Sequence, residues 1–296
     1  MCFPDPQELR HVTEYRRLLK MACGPLRHGL LVGLVIGTVP LYGANGQPIQ
    51  THLPFLQNES ASYGGGEVAG GLGEERESSP AIAIGIPTAR GAEFGDLFGG
   101  VSYQRYLGPN LAQRDDGAAL AGLGLGDARK TVGVEVRYAV YDLVDDPFSE
   151  GSLSLKAHRR IYSGLSIAAG IEDMVQYGGW DSKSAYVVAS QILSLDGNVL
   201  TGASATLGVG DGRFNTMKRL SNGTNGAGLF GGLSVQLVDR INVMGMWYGQ
   251  DLSVGLSAVV PGPIPITITP AWVSVLGTHT FGDRFALNVG TSLRLP

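Results

Sequence analysis

Residues 285–295 alternate in character with a period of two. Phe285, Leu287, Val289, Leu293 and Leu295 are large and apolar on one parity, with Thr291 the exception. Ala286, Asn288, Gly290, Ser292 and Arg294 on the other parity are small or polar. Successive side chains of an extended chain point to opposite faces, so this pattern specifies a β-strand with one oily and one wet face. Variants of it recur at 81–87, 97–104, 119–126, 132–141, 152–160, 165–172, 184–194, 200–209, 227–238, 241–249, 252–259, 264–275 and 284–295. The clearest internal case sets Val132, Val134, Val136, Tyr138 and Val140 against Gly133, Glu135, Arg137 and Tyr141. No segment after residue 45 keeps a helical period for three turns.

Alternation alone fits a soluble sandwich as well as a wall between lipid and water. Three features favour the wall. The segments are roughly ten residues long, which matches a tilted strand crossing a bilayer. Glycine, at 45 residues, is about twice its usual share, while charged residues fall to 16%. A packed core needs bulk on its inner face, whereas here the polar parity is small. The third feature is an export signal. Residues 29–42 form the one long apolar run, preceded by Arg10, Arg16, Arg17, Lys20 and Arg27 and followed by Gly43, Ala44, Asn45 and Gly46. Too short and too glycine-rich for a spanning helix, the run has the layout of a secretory signal peptide cleaved between Ala44 and Gly46. Its basic region is long, and Met21 is a more typical start. An uncleaved inner-membrane anchor is the alternative for this segment.

Both cysteines, Cys2 and Cys23, lie in that leader. The exported chain is then cysteine-free, which excludes disulfides, thiolate metal sites and a cysteine nucleophile. A net charge of −4 without a basic stripe excludes nucleic acid as a partner.

The domain reading is a signal peptide with an over-long basic leader at 1–46, a flexible segment at 47–80 that could hold one strand, and a β-barrel at 81–296. Links near 126–130, 160–163, 195–199 and 239–240 are short, and those near 107–117, 142–150, 176–183, 210–226 and 276–283 are long. Alternating short and long links are the signature of a membrane barrel with tight periplasmic turns and extended outer loops. The expected fold is therefore all-β, an antiparallel transmembrane β-barrel of about 12–14 strands. Counting 81–87 as the first wall strand calls for an upward partner within 45–80, so fourteen is the expected number, with twelve if that strand lies outside the wall. The strand at 285–295 should close the wall against that first strand.

The segments Ile84-Gly-Ile-Pro-Thr-Ala-Arg-Gly-Ala-Glu-Phe-Gly-Asp96, Gly124-Leu-Gly-Asp-Ala-Arg-Lys-Thr-Val-Gly133 and Trp247-Tyr-Gly-Gln-Asp-Leu-Ser-Val-Gly-Leu-Ser257 resemble uncharacterised cyanobacterial-type outer-membrane β-barrels. The last is also similar to repeats in barrels associated with exopolysaccharide secretion. The resemblance covers roughly residues 80–296 and rests on strand and turn patterns. The chain departs from the usual terminal aromatic of such barrels, ending in Leu295-Pro296.

Chemistry is sparse. Gly122-Leu-Gly-Leu-Gly126 fits neither the dinucleotide nor the P-loop spacing, and an Asp-Ala-Arg-Lys turn follows it rather than a helix. Asp211 in a glycine-rich loop falls far short of the oxygen set calcium takes. No serine sits on a nucleophile motif near His52, His158 or His279. The chain is read as non-enzymatic, with no catalytic residue, metal site or cofactor. The candidate functional residues are instead those on the polar parity, expected to line the lumen: Glu135, Arg137, Lys156, His158, Glu172, Gln236, Asn288 and Arg294. They could pair across strands and stiffen the wall, or filter solutes by charge. Trp180, Trp247, Trp272, Tyr103, Tyr106, Tyr138, Tyr162, Tyr177 and Tyr248 fall mostly near strand ends, as interfacial girdles require.

The functional expectation is an integral protein of the bacterial outer membrane, a passive channel or export-associated pore for polar solutes. The alternative is a non-conducting structural or assembly barrel that supports cell-surface polysaccharide secretion. A secreted soluble β protein is the third reading. Expected partners are outer-membrane lipid and lipopolysaccharide, the barrel-insertion machinery and polysaccharide-export components.

Overall fold

A computed structural model describes residues 80–295 apart from 108–114, 142, 144–146, 163, 179–182, 196–199, 217, 220–221, 223, 225, 239 and 278–282. The expected signal peptide and the segment 47–79 lie outside the described residues, as do His52, His279 and Trp180.

Twelve antiparallel strands close into a barrel. They are β1 (Asp96–Tyr106), β2 (Asp116–Gly126), β3 (Gly133–Tyr141), β4 (Glu150–Tyr162), β5 (Leu165–Tyr177), β6 (Ser184–Ser194), β7 (Gly202–Gly210), β8 (Gly228–Val238), β9 (Ile241–Trp247), β10 (Leu252–Val260), β11 (Ile266–Val273) and β12 (Arg284–Arg294). Each pairs with its neighbour in sequence, and β12 closes on β1 with Val289 opposite Val101 and Asn288 opposite Ser102. Closure leaves no free sheet edge.

The strand ends that flank 107–115, 142–149, 178–183, 211–227, 248–251 and 274–283 lie at one mouth, the loop mouth. Those that flank 127–132, 163–164, 195–201, 239–240 and 261–265 lie at the other, the turn mouth, together with the start of β1 and the end of β12. In the first of these turns the backbone amides of Lys130 and Arg129 donate to the Asp127 carboxylate at 3.1 and 2.9 Å. That bonding, from Lys130 above all, holds its pKa below the ordinary carboxylate value.

The period of two becomes a division between two faces. Leu207, Leu229 and Leu233 are each about two-thirds exposed on the outer face. Ser102, Ser152, Ser154, Ser190, Ser234, Thr206 and Thr269 are buried on the inner one. The arrangement is the reverse of the usual one, in which apolar side chains are enclosed and polar ones face outward. Tyr103, Tyr138, Tyr177, Trp247 and Trp272 lie exposed at the loop-mouth ends of β1, β3, β5, β9 and β11. Tyr138 stacks on Tyr177 and their hydroxyls are 2.8 Å apart. Tyr248 departs from this belt: it is buried inside, bonded to Ser274 at 2.8 Å. Among the described residues no helix is long and apolar enough to cross a membrane.

One expected strand is absent from the wall. Residues 81–87 form no ladder, and β12 pairs instead with β1, so the wall has the smaller of the expected strand numbers. Gly85 adopts φ +68° and Pro87 lacks an N–H, which together break the extended run after a few residues. The segment lies inside the barrel.

Candidate functional site

Residues 80–93 form a strap through the lumen, buried at every position except the half-buried Ile82. The strap starts at the turn mouth, where Asn242 Nδ2 at the start of β9 donates to the Ala81 carbonyl at 2.9 Å. There the Ala81 amide donates to Ser257 Oγ on β10 at 2.8 Å. It rises past Gly255 to the loop mouth, where the Gly85 carbonyl accepts a 2.7 Å bond from Arg213 Nη1. It then descends. The Ala89 amide donates to Ser190 Oγ on β6 at 3.0 Å, and the Ala92 amide to Glu135 Oε2 near the turn-mouth end of β3 at 2.9 Å. The Phe94 amide reaches the Gly126 carbonyl at 2.9 Å before β1 begins. Buried backbone amides need partners, and the strap finds them on wall side chains instead of a neighbouring strand.

Apolar packing also holds it. Ile84 and Ile86, each 1% exposed, join Tyr186, Val188, Phe214, Phe230, Met244 and Met246 in one cluster inside the barrel. Phe214 stacks on Phe230 with centroids 4.2 Å apart, and Tyr186 meets both rings edge-on. Room is made by missing side chains on the wall. A Cβ at Gly255 would overlap Ile84 Cδ1, and one at Gly124 would overlap the backbone of Ala92 and Glu93. Fully burying each isoleucine contributes roughly 1.5–3 kcal/mol. Two of them, with several hydrogen bonds, make the strap part of the folded core.

The residues singled out from sequence fall around this strap. Glu135 and Lys156 face each other across β3 and β4, with Lys156 Nζ 3.4 Å from Glu135 Oε2, and both are buried. His158, also buried, places its ring against Gly91 of the strap. Arg137 and Glu172 lie on the inner face nearer the loop mouth, 4.0 Å apart. Asn288 is buried on β12 and donates to the Thr269 carbonyl at 3.3 Å. Gln236 is inward-facing but half-buried toward the turn mouth. Arg294 is exposed at the rim of that mouth, 3.1 Å from Asp96 and 3.7 Å from Glu93. The structure thus assembles Glu135, Lys156 and His158 at the descending strap and Arg137 with Glu172 near its tip. Arg294 meets only the foot of the strap, at Glu93, and Gln236 and Asn288 stand apart.

Three participants were not singled out from sequence. Arg213 lies in a short 3-10 turn, Gly212–Phe214, that folds from the loop after β7 into the mouth. It grips Glu172 with both edges of its fork, Nε to Oε2 at 2.5 Å and Nη2 to Oε1 at 3.0 Å. Asp173 should point outward by parity. A bulge between β4 and β5, with φ +53° at Asp173, turns it inward. There it accepts bonds from Ser152 Oγ at 2.5 Å and Tyr141 at 2.9 Å. Glu93, at the foot of the strap, reaches Arg294. A charge on the oily parity was the available signal for Asp173. Bulky inward residues on β6, β8 and β9 were the signal for the strap, because a water-filled bore has no use for Tyr186, Phe230, Met244 and Met246.

Most of the wall's inner charge is therefore matched within the protein. Among the described residues no group of three His, Cys, Asp or Glu side chains is placed to hold a metal ion. Comparison with protein-family models gives no match for this chain, and comparison with curated proteins gives none either.

Proposed function

We propose that the protein is an integral barrel of the bacterial outer membrane whose bore is kept shut by its own residues 80–93. The observation that carries the membrane reading is the inverted surface: an aliphatic exterior, an aromatic belt at the loop mouth and a buried polar interior. Lipid supplies the non-aqueous neighbour that such an exterior needs, and amphipathic rings suit its headgroup level. The strap carries the second half of the reading. With two isoleucines and a chain of hydrogen bonds inside the lumen, the bore holds protein where a diffusion pore holds water.

On this reading the barrel is a non-conducting wall element in its closed form, in contact with lipid and lipopolysaccharide and delivered by the barrel-insertion machinery. The resemblance to exopolysaccharide-associated barrels makes export components of the cell surface the partners to look for. A second reading is favoured by one observation: the strap makes no strand pairing with the wall, so its departure would leave every ladder intact. The protein would then be a closed channel for polar solutes.

Membrane fractionation tests the first claim. Recovery with detergent-extracted outer membrane and heat-modifiable mobility are the expected results, and recovery in the soluble periplasm would defeat both readings. Planar-bilayer recordings of purified protein test the second, with no steady current expected from the intact chain. A large ohmic conductance without any opening event would show that the strap does not fill the bore.

A further inference from the structure

We infer that Arg213 is a latch: it pins the tip of the strap at the loop mouth, and its release lets the strap leave the bore. This rests on the closed-channel reading. The strap is a loop with both feet at the turn mouth, fastened by Asn242 and Ser257 on one side and by Glu135 and the Gly126 carbonyl on the other. Its tip is what must move for the bore to clear, and Arg213 holds that tip from the loop side through the Gly85 carbonyl.

The guanidinium is set for this task by everything around it. Two of its nitrogens take both oxygens of Glu172, whose carboxylate is itself beside Arg137. The third is left pointing at Gly85. The fork lies over the Phe214 ring at 4.2 Å. The Arg213 carbonyl accepts from Gln250 at 2.7 Å, and its amide donates to Ser184 Oγ at 3.0 Å. One planar group thus ties β5, the turn after β7 and the strap tip into a unit, as a point charge could not. The turn Gly212–Phe214 opens the longest connection at the loop mouth, and it touches the strap twice, through Arg213 at the Gly85 carbonyl and through Phe214 in the cluster around Ile84 and Ile86.

The test is single-channel recording on the full chain in planar bilayers. The intact protein and Arg213→Ala are compared with a reference variant lacking residues 81–92. Arg213→Ala should raise the open probability about tenfold or more, the scale set by loss of a charge-assisted hydrogen bond. Arg213→Lys keeps the charge beside Glu172 but not the fork, and should lie between the two. It also decides the matter should Arg213→Ala fail to show heat-modifiable mobility. Pairing Ala89→Cys with Ser190→Cys in the Arg213→Ala background should return the protein to the closed level, and reductant should reopen it. If the reference variant conducts while both Arg213 variants stay closed, the latch is wrong and the strap is held by its other contacts. If the reference variant does not conduct either, the closed-channel reading itself fails.

Discussion

The strap and β2 read alike in sequence and end in different places. Ala81, Ala83 and Gly85 alternate with Ile82, Ile84 and Ile86, much as Gly122, Gly124 and Gly126 alternate with Ala121, Leu123 and Leu125. β2 has β1 on one side and β3 on the other, and Leu123 and Leu125 face outward, exposed. The strap has no ladder on either side, and both of its parities are enclosed. A period of two therefore reports two environments only for a segment that stands in a wall. What separates the pair is length and punctuation: β2 runs unbroken from Asp116 to Gly126, whereas Gly85 and Pro87 turn the strap back on itself.

The largest effect that sharpens this contrast is expected at Ile84. Ile84→Ala should destabilise the barrel by roughly 2–5 kcal/mol, the range for emptying a packed core position. Leu207→Ala on the outer face, by contrast, should cost little. Urea unfolding in detergent, followed by tryptophan fluorescence, measures both, and equal losses would break the distinction between strap and wall. Next is Leu207→Arg, which should cost roughly 2–4 kcal/mol if residue 207 lies at bilayer mid-depth, and should lower assembly into the membrane fraction. Normal assembly of that variant would remove the reason for placing lipid there. Gly124→Ala comes third. The new methyl meets strap backbone, so a loss of about 1–3 kcal/mol is expected, and limited proteolysis should show residues 80–93 more readily cut. A variant as resistant as the parent would mean that the strap does not lie on β2. The smallest effect is expected from Arg294→Ala at the exposed rim, about 0–1 kcal/mol. A larger loss in the same unfolding assay would show that the foot of the strap depends on that ion pair.

Much of the wall was legible because its pattern has a physical cause that repeats at every strand. The ends of β3, β6 and β12 lie within a residue or two of where alternation begins and stops, and long and short connections sort onto opposite mouths except at 248–251, a short link on the loop side. The inner network was legible only where parity held. Glu135, Arg137, Lys156 and Glu172 follow it, and Asp173 does not, because a bulge reverses its side chain. Arg213 carried no periodic signal, since it stands in a turn whose fold depends on Phe214 finding Phe230. The strap was misassigned for a deeper reason. Small and aliphatic residues in alternation suit a slot between packed side chains as well as they suit a wall, and local sequence does not say which.

The strap also constrains the order in which this molecule can be made. β1 follows it directly in the chain, and the partner that closes the wall over it is β12, the last strand of all. Ser102 must wait for Asn288, so the seam joins residues almost two hundred positions apart, a slow step for any chain. Until that seam zips shut, Ile84 and Ile86 have no enclosed space to occupy, and the nascent protein carries an uncovered greasy loop. The end of the chain is thus the timekeeper for its beginning: shortening β12 would strand the interior before it harmed the exterior.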